Sequence, residues 1–280
     1  MTKVKVAAVQ MCSGVDPEKS AHSLERLVGE AAAHGARYIQ TPEMTGAVQR
    51  DREGLRRVLK PEAQDVIVRT GSKLAAQHGV FVHIGSTAIA LGDDKVANRG
   101  FLFGPDGGEI CQYDKIHMFD VDLDNGESWR ESRTYNPGKA GRVAELPFGK
   151  LAFAICYDLR FPQLFRAEAL AGAQILTVPA AFTKQTGEAH WEVLLRARAI
   201  ENGAFVIAAA QAGLHEDGRE TFGHSMIVDP WGRVLASASG EGEGVVLAEI
   251  DISEVAAARA KIPNLKNARE FAIETANFAG

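Results

Sequence analysis

Short apolar runs recur along this chain, and amphipathic stretches of helical length separate several of them. The first run, residues 4–9, is typical of a β-strand. Asp16 and Pro17 then offer a helix N-cap and a first-turn proline, and apolar residues recur at helical spacing until Gly35: Leu24, Leu27, Val28 and Ala31. This alternation of strand and helix in the first half of the chain predicts an α/β protein.

The same patterns predict further elements, whose order indicates one or two mixed sheets covered by helices. The predicted strands cover residues 37–41, 80–85, 98–103, 109–113, 143–146, 151–155, 174–178, 205–210 and 245–250. The predicted helices cover residues 61–78, 162–171, 190–202 and 253–261. Turn residues make hairpins of segments 98–113 and 224–236, which requires antiparallel pairing. One domain over residues 1–280, with a core at about 4–250 and a C-terminal helix and tail at about 253–280, is the simplest organisation.

Composition and charge exclude several classes of function. The chain has 280 residues, 46% of them hydrophobic, a net charge of −5 and a pI near 5.9, so no global basic surface favours nucleic acid. No apolar stretch approaches the roughly 20 residues that span a bilayer, and no signal peptide is recognisable. Three cysteines are too few, and odd in number, for a disulfide framework. Together with the missing signal peptide, they predict a cytoplasmic protein. Without a CxxC pair or an HExxH helix, we expect no metal and no cofactor.

Cys156 ends an apolar run and precedes a polar turn, which is how a strand presents a nucleophile to substrate. A cysteine in an apolar run is otherwise an ordinary core residue. Glu43 and Lys115 also end strand-like runs, although either one alone is equally consistent with a solvated charge or an ion pair. Together a carboxylate, an amine and a thiol are a complete set for amide hydrolysis, in which the carboxylate moves protons. The ammonium would hold the oxyanion and lower the thiol pKa, and the Tyr157 backbone N–H can aid the oxyanion.

The long polar segment 117–140 carries several acidic residues, and spacing alone does not choose among them: Asp120, Asp122, Asp124, Glu127 and Glu131. Loops of this length are usually functional or disordered. A cysteine–histidine pair is the alternative chemistry, but none of the candidate histidines has a distinctive spacing from Cys156: His117, His190, His215 and His224. The competing class of function is a binding protein that keeps the fold without catalysis.

Three motifs resemble those of the carbon–nitrogen hydrolase (nitrilase) superfamily in order and context: Thr41-Pro42-Glu43, Tyr113-Asp114-Lys115-Ile116-His117 and Ile155-Cys156-Tyr157-Asp158. The resemblance covers nearly the whole chain and implies an αββα sandwich, with two mixed sheets flanked by helices. It also implies a catalytic triad in which Glu43 is the general base, Lys115 stabilises the oxyanion and Cys156 is the nucleophile. A second family glutamate, matched better by Glu131 than by Glu127, supports the lysine and positions substrate.

Four segments, which begin at Lys115, Cys156, Ala189 and Gly223, are similar to the Nit amidases of that superfamily. This branch implies hydrolysis of a linear amide of a 2-oxo dicarboxylic acid. Deaminated glutathione is the expected substrate, yielding 2-oxoglutarate and cysteinylglycine, and an ω-amidase acting on 2-oxoglutaramate or 2-oxosuccinamate is the alternative. Another amidase, a nitrile hydrolase or an N-carbamoyl amidase of the superfamily stays open behind these two.

A substrate carboxylate needs a cation, and Arg160, four residues after Cys156, is the candidate for a bidentate contact. Its structural alternative is an ion pair with Asp158 or with the following helix. Thr183 is a candidate for a hydrogen bond to substrate. The resemblance further implies a homodimer or higher homo-oligomer, assembled through helices at about 161–171 and 190–202, and we expect neither nucleic acid nor membrane as a partner.

Overall fold

Two six-stranded sheets lie at the centre of the molecule. The structure is a computed structural model that describes residues 2–92, 94–123, 126 and 128–276. The strands are β1 Lys3–Gln10, β2 Tyr38–Gln40, β3 Phe81–Gly92, β4 Lys95–Phe103, β5 Glu109–Asp114, β6 Asp120–Asp122, β7 Ser128–Arg130, β8 Val143–Leu146, β9 Gly149–Phe153, β10 Ile175–Thr177, β11 Phe205–Ala208, β12 Ala212–Leu214, β13 Glu220–Phe222, β14 Met226–Val228, β15 Val234–Ser237 and β16 Gly244–Asp251. The helices are α1 Pro17–Ala33, α2 Arg52–Val58, α3 Val66–His78, α4 Pro162–Leu170, α5 Lys184–Asn202, α6 Ser253–Lys261 and α7 Asn264–Asn267. Within the described part of the chain, no helix is long and apolar enough to cross a bilayer.

Both sheets repeat one pattern of strand directions. The first has the order β16-β1-β2-β3-β4-β5, and the second has the order β15-β14-β11-β10-β9-β8. In each sheet three parallel strands form the centre, β1–β2–β3 or β9–β10–β11, and antiparallel strands flank them. Since parallel strands end at the same edge of a sheet, the segments that follow β2 and β9 emerge at such edges.

Alternation along β1 shows how the layers stack. Val6 and Ala8 belong to the apolar cluster shared with the second sheet, whereas Ala7 and Val9 belong to the cluster formed with α1 and α3. On the far side, α4 and α5 place Phe165 and Trp191 against the second sheet. The layers therefore run helix, sheet, sheet, helix, which confirms the predicted αββα sandwich with two mixed sheets.

Several boundaries differ from the sequence-based prediction, and the reasons are local. The helix expected over 61–78 starts at Val66, because Asp65 accepts hydrogen bonds from the Ile67 and Val68 N–H groups and so caps α3. Helix α5 starts at Lys184 rather than residue 190. Its first turns contain Gly187, which weakens the helical pattern but lets β13 approach, since an added Cβ would lie 2.3 Å from Phe222.

Three segments, besides the short helix α7, had no counterpart in the prediction. Helix α2 follows the first site segment, the β6–β7 hairpin lies inside the region treated as a long loop, and the β12–β13 hairpin lies between β11 and β14. All three are short and polar, so their apolar period is too brief to stand out from a loop. Two of the residues in that predicted loop, Asp124 and Glu127, lie outside the described residues.

A neutral histidine lies between the two sheets. His83 on β3 is 1% exposed, its Nδ1 is 2.7 Å from the Tyr38 hydroxyl, and its ring packs edge-on against Phe153 of the second sheet. Burial lowers the pKa of His83 from 6.5 to about 3. The imidazole is consequently uncharged in the folded protein at any pH near neutrality.

We expect this histidine to make the fold acid-sensitive. Between pH 6.5 and about 3 the unfolded chain binds a proton at His83 that the folded protein does not, so stability falls as the pH drops through this window. Against His83→Gln, the wild type should lose about 1.4 kcal/mol more of unfolding free energy per pH unit below 6. Urea titrations from pH 7 to 4 measure this, with exposed His22→Gln as control; parallel pH profiles for wild type and His83→Gln would contradict it.

Candidate active site

Three strand ends from both sheets meet at one place. Glu43 follows β2, Lys115 directly follows β5, and Cys156 follows β9 of the second sheet. The turn before Glu43 fits tightly against β3, where an added Cβ on Gly85 would lie 2.1 Å from the Thr41 carbonyl oxygen. All three side chains are buried, with exposures of 4%, 2% and 7% for Glu43, Lys115 and Cys156 respectively. The sequence prediction that these residues belong together is thus matched by their positions.

Cys156 has a backbone conformation that is rare for a residue with a side chain. Its φ is +50°, at the start of a single 3₁₀ turn, Cys156–Arg160, and its N–H donates to the Pro179 carbonyl at 2.9 Å. A left-handed conformation costs an L-residue about 1–2 kcal/mol, so neighbouring contacts must hold it. A sharp turn of this kind directs the thiol away from the sheet and into the space beside Glu43.

Asp158 supplies those contacts, and the sequence analysis did not assign it this role. Its carboxylate is fully buried and accepts four hydrogen bonds. Two come from the Tyr113 hydroxyl at 2.7 Å and the Ile155 N–H at 2.9 Å, and two come from the N–H and Nδ1 of His117 at 3.0 and 2.6 Å. Asp158 therefore ties the turn that carries Cys156 to Tyr113 and His117, which lie two positions before and two positions after Lys115.

Lys115 bridges two carboxylates. Its Nζ donates to Glu43 Oε1 at 2.8 Å and lies 2.9 Å from Glu131 Oε2. Asn98 on β4 repeats the bridge, donating from Nδ2 to Glu43 Oε1 at 2.9 Å and to Glu131 Oε1 at 3.2 Å. The Phe119 N–H binds the other oxygen of Glu131 at 2.7 Å. Glu131 thus contacts the ammonium together with Glu43.

Burial and mutual charge set the protonation of the cluster. Burial would lower the pKa of Lys115, but the carboxylates of Glu131 and Glu43 outweigh it and hold that pKa well above its ordinary value. Burial would raise the pKa of Glu43, but the charge of Lys115 and hydrogen bonds from Lys115, Cys156 and Asn98 keep it below its ordinary value. The site therefore holds a charged ammonium beside a charged carboxylate.

The thiol has the opposite response. Burial, and then the negative charge of Glu43, raise the pKa of Cys156 well above its ordinary value. Lys115 acts in the lowering direction that the sequence analysis expected, but its effect is outweighed. The resting cysteine is consequently a neutral thiol that donates its hydrogen bond to Glu43, and a proton acceptor is needed before it can attack.

The remaining sequence candidates lie around this cluster at different depths. Tyr157 lines the cavity, and its N–H is in the first turn of the 3₁₀ segment, where backbone donors lack an intrahelical partner. Thr183 also lines the cavity and pairs with the Thr186 hydroxyl at 2.8 Å. Arg160 is not part of the cavity wall. Its guanidinium lies 5.4 Å from the Phe182 ring centre and donates to His190 Nδ1 at 3.3 Å, and its alternative partner Asp158 is already occupied.

A cavity of about 270 Å³ opens onto the cluster. Glu43, Lys115, Glu131 and Cys156 form its inner wall, and Ala181 closes one side by donating its N–H to Glu43 Oε2 at 2.9 Å. Polar and aromatic side chains form the outer wall: Arg50, Arg52, Trp129, Arg130, Tyr135 and Arg219. The sequence analysis named none of these six as site residues, since they come from separate loops and hairpins without a motif.

The histidines that were considered as bases lie elsewhere. His117 stacks on Phe161 and binds Asp158, and His215 bonds to the Ser13 carbonyl and the Thr221 hydroxyl. Neither lines the cavity. Among the described residues, no group of three histidine, cysteine, aspartate or glutamate side chains is arranged to hold a metal ion. The arrangement favours carboxylate-assisted attack by a thiol.

Comparison with known proteins agrees with this geometry. The model of the carbon–nitrogen hydrolase family matches residues 5–260. The chain belongs to the carbon–nitrogen hydrolase family. It is 37% identical over 272 residues to a deaminated glutathione amidase of Yersinia enterocolitica, covering 96% of this chain and 94% of the relative. A deaminated glutathione amidase of Bos taurus is 39% identical over 269 residues, covering 94% of this chain and 81% of that protein.

A solved structure shows the same architecture. The C. elegans NitFhit protein superposes with a TM-score of 0.88 at 33% identity, and the match covers 96% of this chain and 66% of that chain. The family resemblance inferred from the three motifs is thereby confirmed. Family membership also makes this chain a hydrolase of carbon–nitrogen bonds that acts on amides.

The Asp158 contacts lead to a direct test. In Asp158→Asn an NH₂ group replaces one oxygen and faces groups that are themselves donors, so at least one buried hydrogen bond is lost. We expect the free energy of unfolding by urea to fall by about 3 kcal/mol. Turnover should fall with it. Asp251→Asn, at a position near the surface where the carboxylate accepts hydrogen bonds from Ser253, should stay within about 0.5 kcal/mol. Equal stability of the two variants would show that Asp158 does not hold the turn.

Proposed function

We propose that this protein hydrolyses the amide bond of deaminated glutathione and releases 2-oxoglutarate and cysteinylglycine. The observation that carries this proposal is that Cys156, Glu43 and Lys115 are buried together in the wall of one cavity, where Lys115 Nζ donates to Glu43 Oε1 at 2.8 Å. Thiol, base and cation are the groups that amide hydrolysis through a thioester requires. The choice of amide is supported by the relatives, which are named for this substrate.

In the first half of the proposed reaction, Glu43 accepts the thiol proton as the Cys156 sulfur bonds to the amide carbon. The carbonyl oxygen becomes an oxyanion, which Lys115 and the Tyr157 N–H stabilise. The carbon–nitrogen bond then breaks, and Glu43 transfers its proton to the leaving amine. The acyl group stays on sulfur as a thioester, while the amine leaves as cysteinylglycine.

In the second half, the Glu43 carboxylate takes a proton from water as the water oxygen attacks the thioester carbon. The carbon–sulfur bond breaks, 2-oxoglutarate leaves, and the thiolate recovers its proton from Glu43. Glu131 keeps its charge against Lys115 throughout, so that the ammonium stays fixed while Glu43 alternates between its charged and neutral forms. A thioester is hydrolysed more readily than an amide, which is the advantage of the covalent intermediate.

Assembly and location complete the proposal. We propose that two copies associate through α4 and α5, where Leu170, Val193 and Ile200 are each more than half exposed at 62%, 68% and 52%. Exposed large aliphatic side chains on neighbouring helices favour an interface.

A cytoplasmic location is supported by the three cysteines, all of which are free. We also propose that residues 1–280 form one carbon–nitrogen hydrolase domain.

Release of the 2-oxo acid tests the function: 2-oxoglutarate from deaminated glutathione and from 2-oxoglutaramate, and oxaloacetate from 2-oxosuccinamate. We expect wild-type protein to turn over deaminated glutathione with a larger kcat/KM than 2-oxoglutaramate or 2-oxosuccinamate, and Cys156→Ala to be inactive on all three because no nucleophile remains. Urea unfolding of Cys156→Ala should match the wild type, which separates loss of chemistry from loss of fold. A preference for the two smaller amides would assign an ω-amidase, and turnover by Cys156→Ala would remove Cys156 as the nucleophile.

Arg160 is the proposed partner of the 2-oxo acid carboxylate. Its guanidinium lies next to two cavity residues, 5.4 Å from the Phe182 ring centre and 6.0 Å from that of Tyr157. Contact with substrate requires the side chain to move past these rings. Thr183, on the same side of the cavity, is proposed to donate a hydrogen bond to substrate.

We expect Arg160→Ala to raise KM for a 2-oxo acid amide by about 10- to 100-fold, the usual value of one charge-assisted hydrogen bond. The KM of an uncharged amide of the same length should change by no more than about twofold. Steady-state kinetics on the two substrates measure the difference. Equal increases for both would exclude Arg160 from carboxylate binding.

A further inference from the structure

The outer wall of the cavity holds two arginines on one tryptophan. The Arg219 guanidinium carbon lies 4.4 Å from the Trp129 ring centre, and that of Arg50 lies 5.8 Å from it. All three line the cavity, and they come from three separate segments: the β12–β13 hairpin, β7 and the loop before α2. Planar guanidinium groups that stack on an aromatic face keep their edges available for hydrogen bonds.

Arg219 is a largely buried arginine that leaves donors unused. Its side chain is only 15% exposed, yet its Nε is buried and has no hydrogen-bond partner among the described residues. Its Nη2 reaches the Gln49 carbonyl at 3.4 Å, close to the limit of a hydrogen bond. Asp217 Oδ2 is 3.9 Å from the same nitrogen, too far to accept from it, and that oxygen is also unpartnered. A buried donor left this way is costly unless water or a ligand completes it.

Two other cations of the cavity, Lys115 and Arg130, are already engaged. Lys115 is held by Glu43 and Glu131. Arg130 binds Asp122 through both carboxylate oxygens at 2.8 and 2.7 Å, and its Nη1 donates to the Val121 and Trp129 carbonyls. Arg219 and the exposed Arg50 share the Trp129 ring and therefore form a pair with capacity for an anion, with the exposed Arg52 also in the cavity wall.

The chemistry of the proposed substrate offers that anion. Deaminated glutathione carries a carboxylate at each end, whereas 2-oxoglutaramate has only the 2-oxo acid end because its leaving group is ammonia. In an extended cysteinylglycine the terminal carboxylate lies roughly 7 Å beyond the cleaved nitrogen. A ligand whose amide is at Cys156 would thus extend its far end away from the inner wall and toward the mouth.

We propose that Arg219, stacked on Trp129 and assisted by Arg50, binds the terminal carboxylate of the peptide leaving group and so selects amides of peptides over primary amides. This inference rests on the proposed function, since it identifies which part of that substrate the outer wall recognises. The contact lies away from the reacting bond and is the same in ground and transition states. Its loss should accordingly raise KM and leave kcat nearly unchanged.

The test compares two substrates that differ only at the far end: deaminated glutathione and its C-terminal carboxamide. We expect the wild type to favour the acid by about 10- to 100-fold in kcat/KM, as one charge-assisted contact supplies. In Arg219→Gln this ratio should fall to about one through KM, while kcat/KM for 2-oxoglutaramate stays within about twofold. Arg219→Lys should keep part of the preference, because it retains the charge and loses the planar stack.

Arg130→Gln is the matched control, since Arg130 lines the same cavity but spends its donors on the protein; its acid-to-carboxamide ratio should equal that of wild type. A wild type that treats acid and carboxamide alike would overturn the inference while leaving the proposed function intact. Equal losses on all substrates in Arg219→Gln would overturn it as well, by assigning Arg219 a structural role. A wild type inactive on deaminated glutathione would remove the proposed function and this inference together.

Discussion

The buried ammonium of Lys115 governs the rest of the site. A lone charge at 2% exposure would be strongly disfavoured, and two carboxylates, Glu43 and Glu131, bind it at 2.8 and 2.9 Å. These three groups together carry one excess negative charge, which Asn98 and the N–H groups of Ala181 and Phe119 balance with hydrogen bonds. A thiolate would add a second negative charge, so the cysteine stays protonated until its proton can pass to Glu43.

The two-sheet architecture makes that cluster possible. Lys115 and Glu43 leave the first sheet and Cys156 leaves the second, so neither sheet alone holds a thiol, a base and a cation. The sheets must also keep a fixed relative position, because the thiol and its base belong to different layers. Asp158 provides part of that constraint, joining the turn after β9 to Tyr113 at the end of β5 and to His117 beyond it. In the proposed mechanism, positioning and proton transfer are thus carried by different carboxylates, Asp158 and Glu43.

Much of the fold and of the candidate site could be predicted from the sequence, and there are physical reasons why the rest could not. Apolar runs set most strands, and Glu43, Lys115 and Cys156 stand at run ends where side chains leave a sheet. The sequence did not identify Asn98 as a site residue, because it lies inside a strand, where a buried polar residue has no distinctive spacing. The net rise in the Cys156 pKa depends on burial and on distances to two opposite charges, neither of which a linear pattern contains.

Recognition of substrate is the part that sequence motifs reach least. In the proposed mechanism the inner wall does not distinguish one amide from another, because its thiol, carboxylate and ammonium act on the carbonyl carbon whatever its substituents. Discrimination between amides must then come from groups that meet those substituents. Besides the proposed Arg160 and Thr183, these lie on or just before α2, on the β6–β7 hairpin and on the β12–β13 hairpin, three segments that the periodicity did not predict. The outer wall carries Arg50, Arg52 and Arg219, whereas the inner cluster is net negative. An anionic substrate is therefore attracted at the mouth and held by its ends, while its neutral amide alone meets the negative inner cluster.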